Sequence, residues 1–305
     1  MRIFLTGATG YVGSAVLDAL IRAGHNVTAL VRDSEKAARV AERGAHPVIG
    51  NLADPESFRA MADAQDGYVH TAIDAAPKTV QTDRAAIDAL LAAARRPRTS
   101  GVSTTPRFFI YTSGLWVLGR VPEPVDEGAP LSPIALADWR VEHDRMVLAA
   151  SGDHLRTAVV RPGIVYGGGA GMVGDLFKSA TNGLVRVIGD GNNRWPLVYD
   201  RDLADLYARL AADDTASGVF HANDEGDERV NDIVAAIGPY LPHRPDVRYV
   251  PIEEARTKIG PFADALALDQ VIRSTRSRAL GWNPSLHSVS GNAARLLEEW
   301  RAARS

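Results

Sequence analysis

Three glycines near the start of the chain have the spacing of a phosphate-binding turn. Gly7, Gly10 and Gly13 lie in the run TGATGYVG, between an apolar strand-like run and a stretch with helical periodicity. Glycine at these positions permits a tight turn, close approach of the backbone to a pyrophosphate, and close packing of strand and helix. Free N–H groups at the start of the helix then bind the phosphates. We therefore predict a dinucleotide site with contacts from Gly7, Thr9, Gly10, Tyr11 and Val12.

A basic residue after the second predicted strand bears on the choice of cofactor. This strand ends at Val31 and is followed by Arg32 and Asp33, with Ser34 and Lys36 close behind. NAD-specific folds place an acidic residue at this strand end to bind the ribose hydroxyls, whereas an arginine accommodates the 2′-phosphate of NADP. Asp33 is the counter-argument, and a plain exposed charge is the alternative for Arg32. The pattern favours NADP(H) over NAD(H).

The elements that must position these residues follow from the hydrophobic pattern. Strands are predicted at 3–5, 27–31, 47–49, 68–71, 108–112 and 155–160, and helices at 10–23, 34–43, 79–95 and 134–150, with a further helix opening at Asp54-Pro55. This alternation is typical of βαβ units and a parallel sheet. We expect an α/β fold, a Rossmann doubly wound parallel sheet.

Beyond residue 162 the chain is richer in glycine and mixes helices with short strands, with helices predicted at 175–181 and 288–303. We interpret this part as a smaller C-terminal α/β substrate lobe over the carboxyl edge of the sheet, where such folds bind ligands. The predicted division is an NADP-binding Rossmann domain at 1–162, with a returning strand and helix from about 184–215, and a substrate-binding lobe and lid mainly at 163–305.

Composition limits the classes of function. The 305 residues have a formal net charge of −3, so the overall charge does not favour nucleic acid or an anionic membrane. The absence of cysteine excludes disulfides, thiol nucleophiles and cysteine-ligated metals, and no His/Asp/Glu cluster has metal spacing. The apolar stretch at the N-terminus is far shorter than a signal or membrane-spanning segment. We expect a cytoplasmic protein that binds a small-molecule substrate and no metal, nucleic acid or membrane.

Several motifs together resemble the extended short-chain dehydrogenase/reductase family, the NAD-dependent epimerase/dehydratase-like group. Thr6–Gly13 resembles its TGxxGxxG loop, and Arg161–Gly167 is similar to its RPxxVYG motif, which faces the nicotinamide. The other matching segments are Asn51-Leu52 (an Asp-Leu adenine contact, with asparagine replacing aspartate), His70–Ala72, Val198–Asp205 (HVxDxA) and Arg278–Pro284 (LGWxP). The resemblance implies further cofactor contacts from Asn51, Leu52, Thr71, Ala72, Thr112, Arg140, Pro162 and Val165.

The catalytic signature of that family does not carry over. Its members use a Ser/Thr after the fifth strand and a Tyr-x-x-x-Lys pair on the next helix, in which the tyrosine moves the proton and the lysine lowers its pKa. In the aligned positions this chain has Gly114, Leu136 and Arg140. No tyrosine lies between Tyr111 and Tyr166, so the absence does not depend on the alignment. The chain is identified as an atypical member of the family.

Three residues are the catalytic candidates that remain. Ser113 neighbours the vacant serine position and can polarise a substrate oxygen, although a strand-end hydroxyl satisfied by backbone is the alternative. Arg140 can bind the cofactor as a fixed cation but cannot shuttle protons. Tyr166 is the nearest tyrosine to the inferred nicotinamide face, with a packed aromatic as its alternative. His143 and His154 are predicted at the surface or at helix ends.

Three functions are consistent with a cofactor site that lacks the usual catalytic groups. The first is an NADP(H)-dependent oxidoreductase of a small or medium organic substrate. The second is a non-redox isomerase, lyase or cyclase that uses the cofactor as a scaffold or transient redox agent. The third is a redox-silent NADP-sensing or interaction protein. Lost acid–base help costs about 10²–10⁴-fold in rate and not all activity, which favours the first. In the family, the helices equivalent to those at 79–95 and 134–150 commonly form a dimer, so a homodimer is an expectation, with coverage of their apolar faces by the sheet as the alternative.

Overall fold

The structure, a computed structural model, describes residues 1–74, 78–96 and 106–304. The chain forms two compact units, each assembled from three segments. The first unit consists of Met1–Ser113, Glu142–Val160 and Ala204–Phe220, and the second of Gly114–Val141, Arg161–Leu203 and His221–Ser305. Within the described ranges, no helix combines the length and the apolar content that crossing a bilayer requires.

The strands follow the predicted alternation through the first unit. In chain order they are β1 Arg2–Thr6, β2 Asn26–Val31, β3 His46–Ile49, β4 Gly67–His70, β5 Arg107–Thr112, β6 Val121–Val125, β7 Leu155–Pro162, β8 Ile164–Tyr166, β9 Leu184–Ile188, β10 Arg194–Trp195, β11 Leu197–Tyr199, β12 Gly218–Ala222, β13 Glu228–Arg229, β14 Asp246–Val250 and β15 Gln270–Ile272. The longest sheet has seven strands in the order β12-β7-β5-β4-β1-β2-β3.

The helices connect these strands. They are α1 Tyr11–Arg22, α2 Ser34–Ala41, α3 Arg59–Asp63, α4 Thr79–Arg95, α5 Asp138–Ala149, α6 Gly171–Thr181, α7 Asp200–Ala212, α8 Val230–Ile237, α9 Ile252–Ile259, α10 Phe262–Leu266, α11 Thr275–Ala279 and α12 Ala293–Ala302. Single 3₁₀ turns occupy Pro55–Ser57, Leu115–Leu118, Gly238–Tyr240 and Ser290–Asn292.

The seven-stranded sheet confirms the predicted doubly wound fold. β1 pairs in parallel with β2 on one side and with β4 on the other, and parallel pairing continues to β3 and to β5 and β7. Ile3, Phe4 and Leu5 of β1 are fully buried, as expected for a strand covered on both faces. The strand order reverses between β1 and β4, and open α/β sheets bind their ligands at the carboxyl ends of such strands.

The second unit contains two-stranded sheets and a separate core. Its parallel pairs are β8 with β11, β9 with β14 and β6 with β15, and β10 pairs with β13 antiparallel. The helix predicted at 175–181 begins earlier, at Gly171, because Val173 and Gly174 are already part of the buried surface of α6. Aromatic side chains make up much of this core: Tyr166, Phe177, Trp195, Tyr199 and Trp300.

The division into units differs from the predicted domains in two segments. Residues 114–141 belong to the second unit, although they precede residue 162. The segment that returns to the first unit is Ala204–Phe220, whereas β9, at the start of the predicted returning segment, pairs with β14 in the second unit. Both differences arise from pairings between distant residues, which no local pattern encodes.

The helix predicted to open at Asp54 is a 3₁₀ turn at Pro55–Ser57 followed by the short α3. The side chain of Asp54 makes no capping hydrogen bond. The Ser57 hydroxyl instead donates to the Asp54 carbonyl oxygen at 2.5 Å, so the serine side chain closes this turn.

Candidate functional site

The turn between β1 and α1 leaves no room for a side chain at Gly7 or Gly13. Gly7 has φ +81°, a conformation that favours glycine, and its carbonyl oxygen accepts from the Gly10 N–H at 2.8 Å. A Cβ on Gly13 would lie 2.0 Å from the Gly7 oxygen, and one on Gly7 would lie 2.7 Å from the Ala72 nitrogen. Gly10 is the N-cap of α1 and no side chain caps this helix start. The exposed N–H groups and the close backbone therefore suit a phosphate group.

A cavity of about 480 Å³ extends from this turn, within the size range of cofactor sites. Ten of the predicted cofactor contacts line it: Gly7, Thr9, Gly10, Tyr11, Val12, Arg32, Asn51, Leu52, Thr71 and Ala72. All of them belong to the first unit. That a dinucleotide occupies this cavity stays a prediction. The exposed N–H groups of the glycine turn fit the phosphates of such a ligand.

The basic end of the cavity is formed by Arg32 and Lys36, which both line it. The Arg32 side chain is 67% exposed, and its guanidinium lies 3.6 Å from the carboxylate of Asp74. A cation that reaches into a cavity and remains mostly exposed can bind an added phosphate without losing a buried partner. Arg32 therefore lines the cavity as an accessible cation, and its contact with a 2′-phosphate stays a prediction.

Asp33, the counter-argument to NADP, is occupied by the start of α2. Its carboxylate accepts from the Lys36 backbone N–H at 2.8 Å and from the Lys36 ammonium at 2.6 Å. The side-chain hydrogen bond from Lys36 lowers the pKa of Asp33, and the backbone hydrogen bond adds to the shift. This carboxylate is the N-cap of the helix. Asp33 is also not among the residues that line the cavity.

Two segments at the carboxyl ends of neighbouring strands complete the cavity. The Thr71 hydroxyl donates to the Thr6 carbonyl at 2.8 Å, which joins the ends of β1 and β4. Asn51 accepts from the Ala53 N–H at 3.0 Å, an Asx turn that shapes the loop after β3. The asparagine that replaces the family's aspartate therefore has a local structural partner.

Ser113 is a buried hydroxyl with no hydrogen-bond partner in the described part of the chain. Its backbone N–H donates to the Val160 oxygen at 2.8 Å, but its Oγ makes no bond and the residue is 5% exposed. The predicted alternative, a hydroxyl satisfied by backbone, is therefore wrong for this structure. An unpaired buried hydroxyl costs free energy. Ser113 is not among the residues that line the cavity.

Thr112, at the end of β5, lies outside the lining of the cavity. Its hydroxyl is 2.6 Å from that of Tyr207 on α7, and Tyr207 is fully buried. No local pattern indicated this tyrosine, because its contact with Thr112 joins residues that are 95 positions apart. Arg140, Pro162 and Val165 are not among the residues that line the cavity. They belong to the second unit, whereas the lining of the cavity belongs to the first.

Tyr166, a catalytic candidate, is a packed aromatic of the second unit. Its hydroxyl donates to Asp224 at 3.0 Å, its ring lies 5.7 Å from that of Tyr199, and it is fully buried. Burial, followed by the charge of Asp224, raises the pKa of Tyr166, while burial raises the pKa of Asp224 to about 7. This geometry supports the packing alternative. Arg140 stacks on Trp139, with its guanidinium carbon 4.4 Å from the ring centroid.

The prediction for His143 is wrong, because this residue is 1% exposed on the inner face of α5. Its Nδ1 lies 2.6 Å from the carboxylate of Asp83, which is also buried. His154 is exposed, as predicted. A signal for Asp83 was present, since it shares the apolar stripe of α4 with Ile87 and Leu90. A carboxylate in such a stripe needs buried partners.

A family model and several curated proteins match most of this chain. A model of the NAD dependent epimerase/dehydratase family matches residues 3–222. The uncharacterized protein C2A9.02 of Schizosaccharomyces pombe is 32% identical over 299 residues, covering 95% of this chain and 96% of the relative. A 2-alkyl-3-oxoalkanoate reductase of Stenotrophomonas maltophilia is 29% identical, covering 78% of this chain and 76% of the relative.

Two solved structures are similar over their whole length. Human epimerase family protein SDR39U1 (isoform 2) with NADPH has a TM-score of 0.80 at 20% identity, covering 98% of this chain and 99% of its own. Thermus thermophilus UDP-glucose 4-epimerase in complex with NAD has a TM-score of 0.79 at 20% identity, covering 99% of this chain and 100% of its own. At this identity the similarity shows the fold alone.

Proposed function

The chain belongs to the NAD-dependent epimerase/dehydratase family, which confirms the resemblance in its motifs, and we propose that it is an NADP(H)-dependent oxidoreductase of a small or medium organic substrate. The family and the reductases among the relatives support an oxidoreductase that uses a nicotinamide cofactor. The preference for NADP(H) rests on one observation, the different roles of Asp33 and Arg32 at the basic end of the cavity.

At that end Asp33 is used as the N-cap of α2, while Arg32 lines the cavity with most of its side chain exposed. The two residues had opposite implications for the cofactor. Asp33 is engaged by Lys36 and does not line the cavity, so the residue after β2 that faces an adenosine ribose is Arg32, an accessible cation beside Asp74. A positive charge favours the phosphorylated ribose of NADP.

The residues of the first unit would hold the cofactor along the cavity. The turn from Gly7 to Gly13 and the start of α1 would bind the pyrophosphate, Arg32 and Lys36 the 2′-phosphate, and Asn51 and Leu52 would contact the adenine. When bound, the nicotinamide supplies hydride transfer to or from the substrate. The protein's part is to hold the reacting groups together and to manage the proton of the substrate oxygen.

That oxygen gains negative charge when hydride reaches a carbonyl carbon, and it must be stabilised and then protonated. We assign the stabilising hydrogen bond to the Ser113 hydroxyl, whose Oγ is buried and has no partner among residues 1–74, 78–96 and 106–304. Serine is too weak an acid to replace tyrosine, so the proton comes from water. The 2-alkyl-3-oxoalkanoate reductase among the relatives makes a ketone the first substrate class to examine.

The test is a comparison of binding and turnover with the purified chain. We expect NADPH to bind at least tenfold more tightly than NADH, measured by the fluorescence of the reduced nicotinamide. We also expect absorbance at 340 nm to fall when NADPH is mixed with a panel of 3-oxo acids, ketones and enones.

Three other outcomes would contradict the proposal. Product formation at constant absorbance would select an isomerase, lyase or cyclase. Tight NADPH binding without turnover of any compound in the panel would select a redox-silent sensor. Equal affinity for NADPH and NADH would reject the role given to Arg32.

A further inference from the structure

Five buried polar side chains of the first unit lie within hydrogen-bond distance of one another, and we call them the Asp83 network. They are Thr6, His70, Asp83, Tyr111 and His143. Each member is at most 5% exposed. The five residues come from β1, β4, α4, β5 and the part of α5 from Glu142 onward, and all five belong to the first unit. Asp83 is at the centre of this network, and Thr6 is its end nearest the glycine turn.

The carboxylate of Asp83 has three close partners in the network. One oxygen lies 3.1 Å from Nε2 of His70, and the other lies 2.6 Å from Nδ1 of His143 and accepts from the Tyr111 hydroxyl at 2.8 Å. Burial alone raises the pKa of Asp83, but the hydrogen bonds from His143, His70 and Tyr111 outweigh it and hold the pKa well below its usual range. Asp83 is therefore an ionised acceptor at neutral pH.

His70 joins Asp83 to Thr6. The ionised Asp83 carboxylate accepts from Nε2 of His70. On the other side of the ring, Nδ1 lies 2.6 Å from the Thr6 hydroxyl. The orientation of the Thr6 side chain thus depends on a carboxylate on a different element.

Thr6 connects the Asp83 network to the cofactor cavity. It is the last residue of β1, directly before Gly7, and it lines the cavity with Thr71. Its carbonyl accepts from the Thr71 hydroxyl at 2.8 Å and from the Thr71 N–H at 3.3 Å. The Thr71 hydroxyl occupies the space beside the turn, 2.5 Å from where a Cβ on Gly13 would lie.

We propose that Asp83 and His70 are positioning residues for the cofactor, which act through Thr6 and Thr71 on the glycine turn. This inference rests on the proposed function, because it concerns the affinity of the same cavity for NADP(H). Stability alone does not account for the network, since buried ionised groups can often be replaced by apolar residues without loss of stability. The function that we assign to the Asp83 network is to hold Thr6 and Thr71 in place at the edge of the cavity.

The main experiment is a double-mutant cycle read as NADPH affinity. Thr6→Val keeps the shape of the side chain and removes its hydroxyl, and Asp83→Asn removes the charge at constant size. We expect each single variant to raise the Kd for NADPH about fivefold, the fold-change equivalent to one hydrogen bond. The Kd of the double variant for NADPH should be no higher than that of the single variant with the higher Kd, because both substitutions act through Thr6. Thr6→Ser, which keeps the hydroxyl, should restore the affinity.

A milder pair of variants serves as a matched control and stands in if Asp83→Asn does not fold. Tyr111 and Tyr68 are fully buried tyrosines on the neighbouring strands β5 and β4. Tyr68 donates to the Ala62 carbonyl at 2.9 Å, outside the Asp83 network. Both tyrosine-to-phenylalanine variants should lower the melting temperature of the cofactor-free protein. Only Tyr111→Phe should also raise the Kd for NADPH, by about threefold, roughly half the free energy of one hydrogen bond.

The results separate this inference from the proposed function. If the wild-type chain binds neither NADPH nor NADH, the proposed function fails and the inference with it. If the wild type binds NADPH, but the variants lower only the melting temperature and leave the Kd unchanged, the Asp83 network is structural and the inference is overturned. Strict additivity of Thr6→Val and Asp83→Asn in the binding free energy would also overturn it.

Discussion

Arg32 and Lys36, the two cations at the basic end of the cavity, have different partners. The Lys36 ammonium lies 2.6 Å from the Asp33 carboxylate, whereas Arg32 contacts Asp74 at 3.6 Å and is largely exposed. A short contact within the first turn of a helix is retained when a ligand binds, whereas a long contact at the surface contributes little and is readily exchanged. Arg32 is therefore the residue whose loss should discriminate between the two cofactors.

We predict that Arg32→Gln raises the Kd for NADPH about 10- to 100-fold, since a hydrogen bond to a charged group is worth about 1.5–3 kcal/mol. The Kd for NADH, which lacks the 2′-phosphate, should change less than about threefold, the size of an exposed charge effect. Arg39→Gln is the control, because Arg39 is an exposed arginine on α2 that does not line the cavity. Equal losses for both cofactors would contradict the assignment of Arg32.

Ser113 gives a prediction in which stability and catalysis respond differently. Ser113→Ala removes an unpaired buried hydroxyl, so the free energy of unfolding should stay the same or rise by about 1 kcal/mol. The kcat should fall about 10²-fold, the typical loss for a hydrogen-bond donor to a developing oxyanion. The Kd for NADPH should not change.

The matched control for Ser113 is Thr157 of β7. Its hydroxyl is likewise buried and without a partner in the described residues, but it belongs to the interior of the sheet. Thr157→Val should therefore show the same gain in stability as Ser113→Ala and an unchanged kcat. If the two variants have the same kcat, measured by NADPH oxidation, Ser113 has no part in the reaction.

At the scale of elements, the junction of β1 and α1 depends on close backbone contact. Gly13→Ala would place a Cβ 2.0 Å from the Gly7 oxygen, so helix and turn must separate. We expect the Kd for NADPH to rise about 5- to 150-fold and the melting temperature to fall, because a strained core contact costs about 1–3 kcal/mol. Gly152→Ala is the control, since nothing lies within 4 Å of its added Cβ. Unchanged binding by Gly13→Ala would show that the turn is not the phosphate site.

The elements around the cavity could be predicted because each has a local pattern. The alanine-rich run gave α4 at its observed bounds, Thr79–Arg95, and β1 and β5 were predicted to within one residue. Glycine spacing and the residue after β2 likewise located most of the cavity lining, because loops at the carboxyl ends of parallel strands meet at one edge.

The parts that the sequence did not predict depend on contacts between distant residues. β10 and β13 are two residues each, and Trp195 pairs with Glu228 across more than thirty residues. The partners of His143 come from other elements, so a histidine on a helix gave no sign that it was buried. Asp33 was ambiguous for a related reason, since an acid at that position can cap a helix or bind a ribose.

At the scale of the whole molecule, His221 links stability to pH. It is fully buried in β12, and its Nε2 has no hydrogen-bond partner within the described ranges. Burial, followed by the charge of Arg161, lowers the pKa of His221 to about 4. The unfolded chain takes up this proton near pH 6.5, but the native chain does so only near pH 4. Stability is therefore lost as the pH falls from about 6.5 to 4.

We predict that His221→Asn reduces this loss. Between pH 7 and pH 5, the free energy of unfolding of the wild type should fall by about 2 kcal/mol more than that of the variant. Urea unfolding at pH 5, 6 and 7 measures this difference. His243→Asn, at an exposed histidine, should follow the wild type. Parallel pH curves for wild type and His221→Asn would show that His221 is not the titrating group.

The discontinuous makeup of the first unit has a consequence for synthesis. Its last segment, Ala204–Phe220, supplies most of α7 and the edge strand β12, which follows β7 in the sheet. A nascent chain that has left the ribosome only as far as Val160 therefore exposes β7 as an unpaired edge, which is a site for aggregation. The sheet of the first unit is therefore complete only after the intervening residues 161–203 of the second unit have been translated.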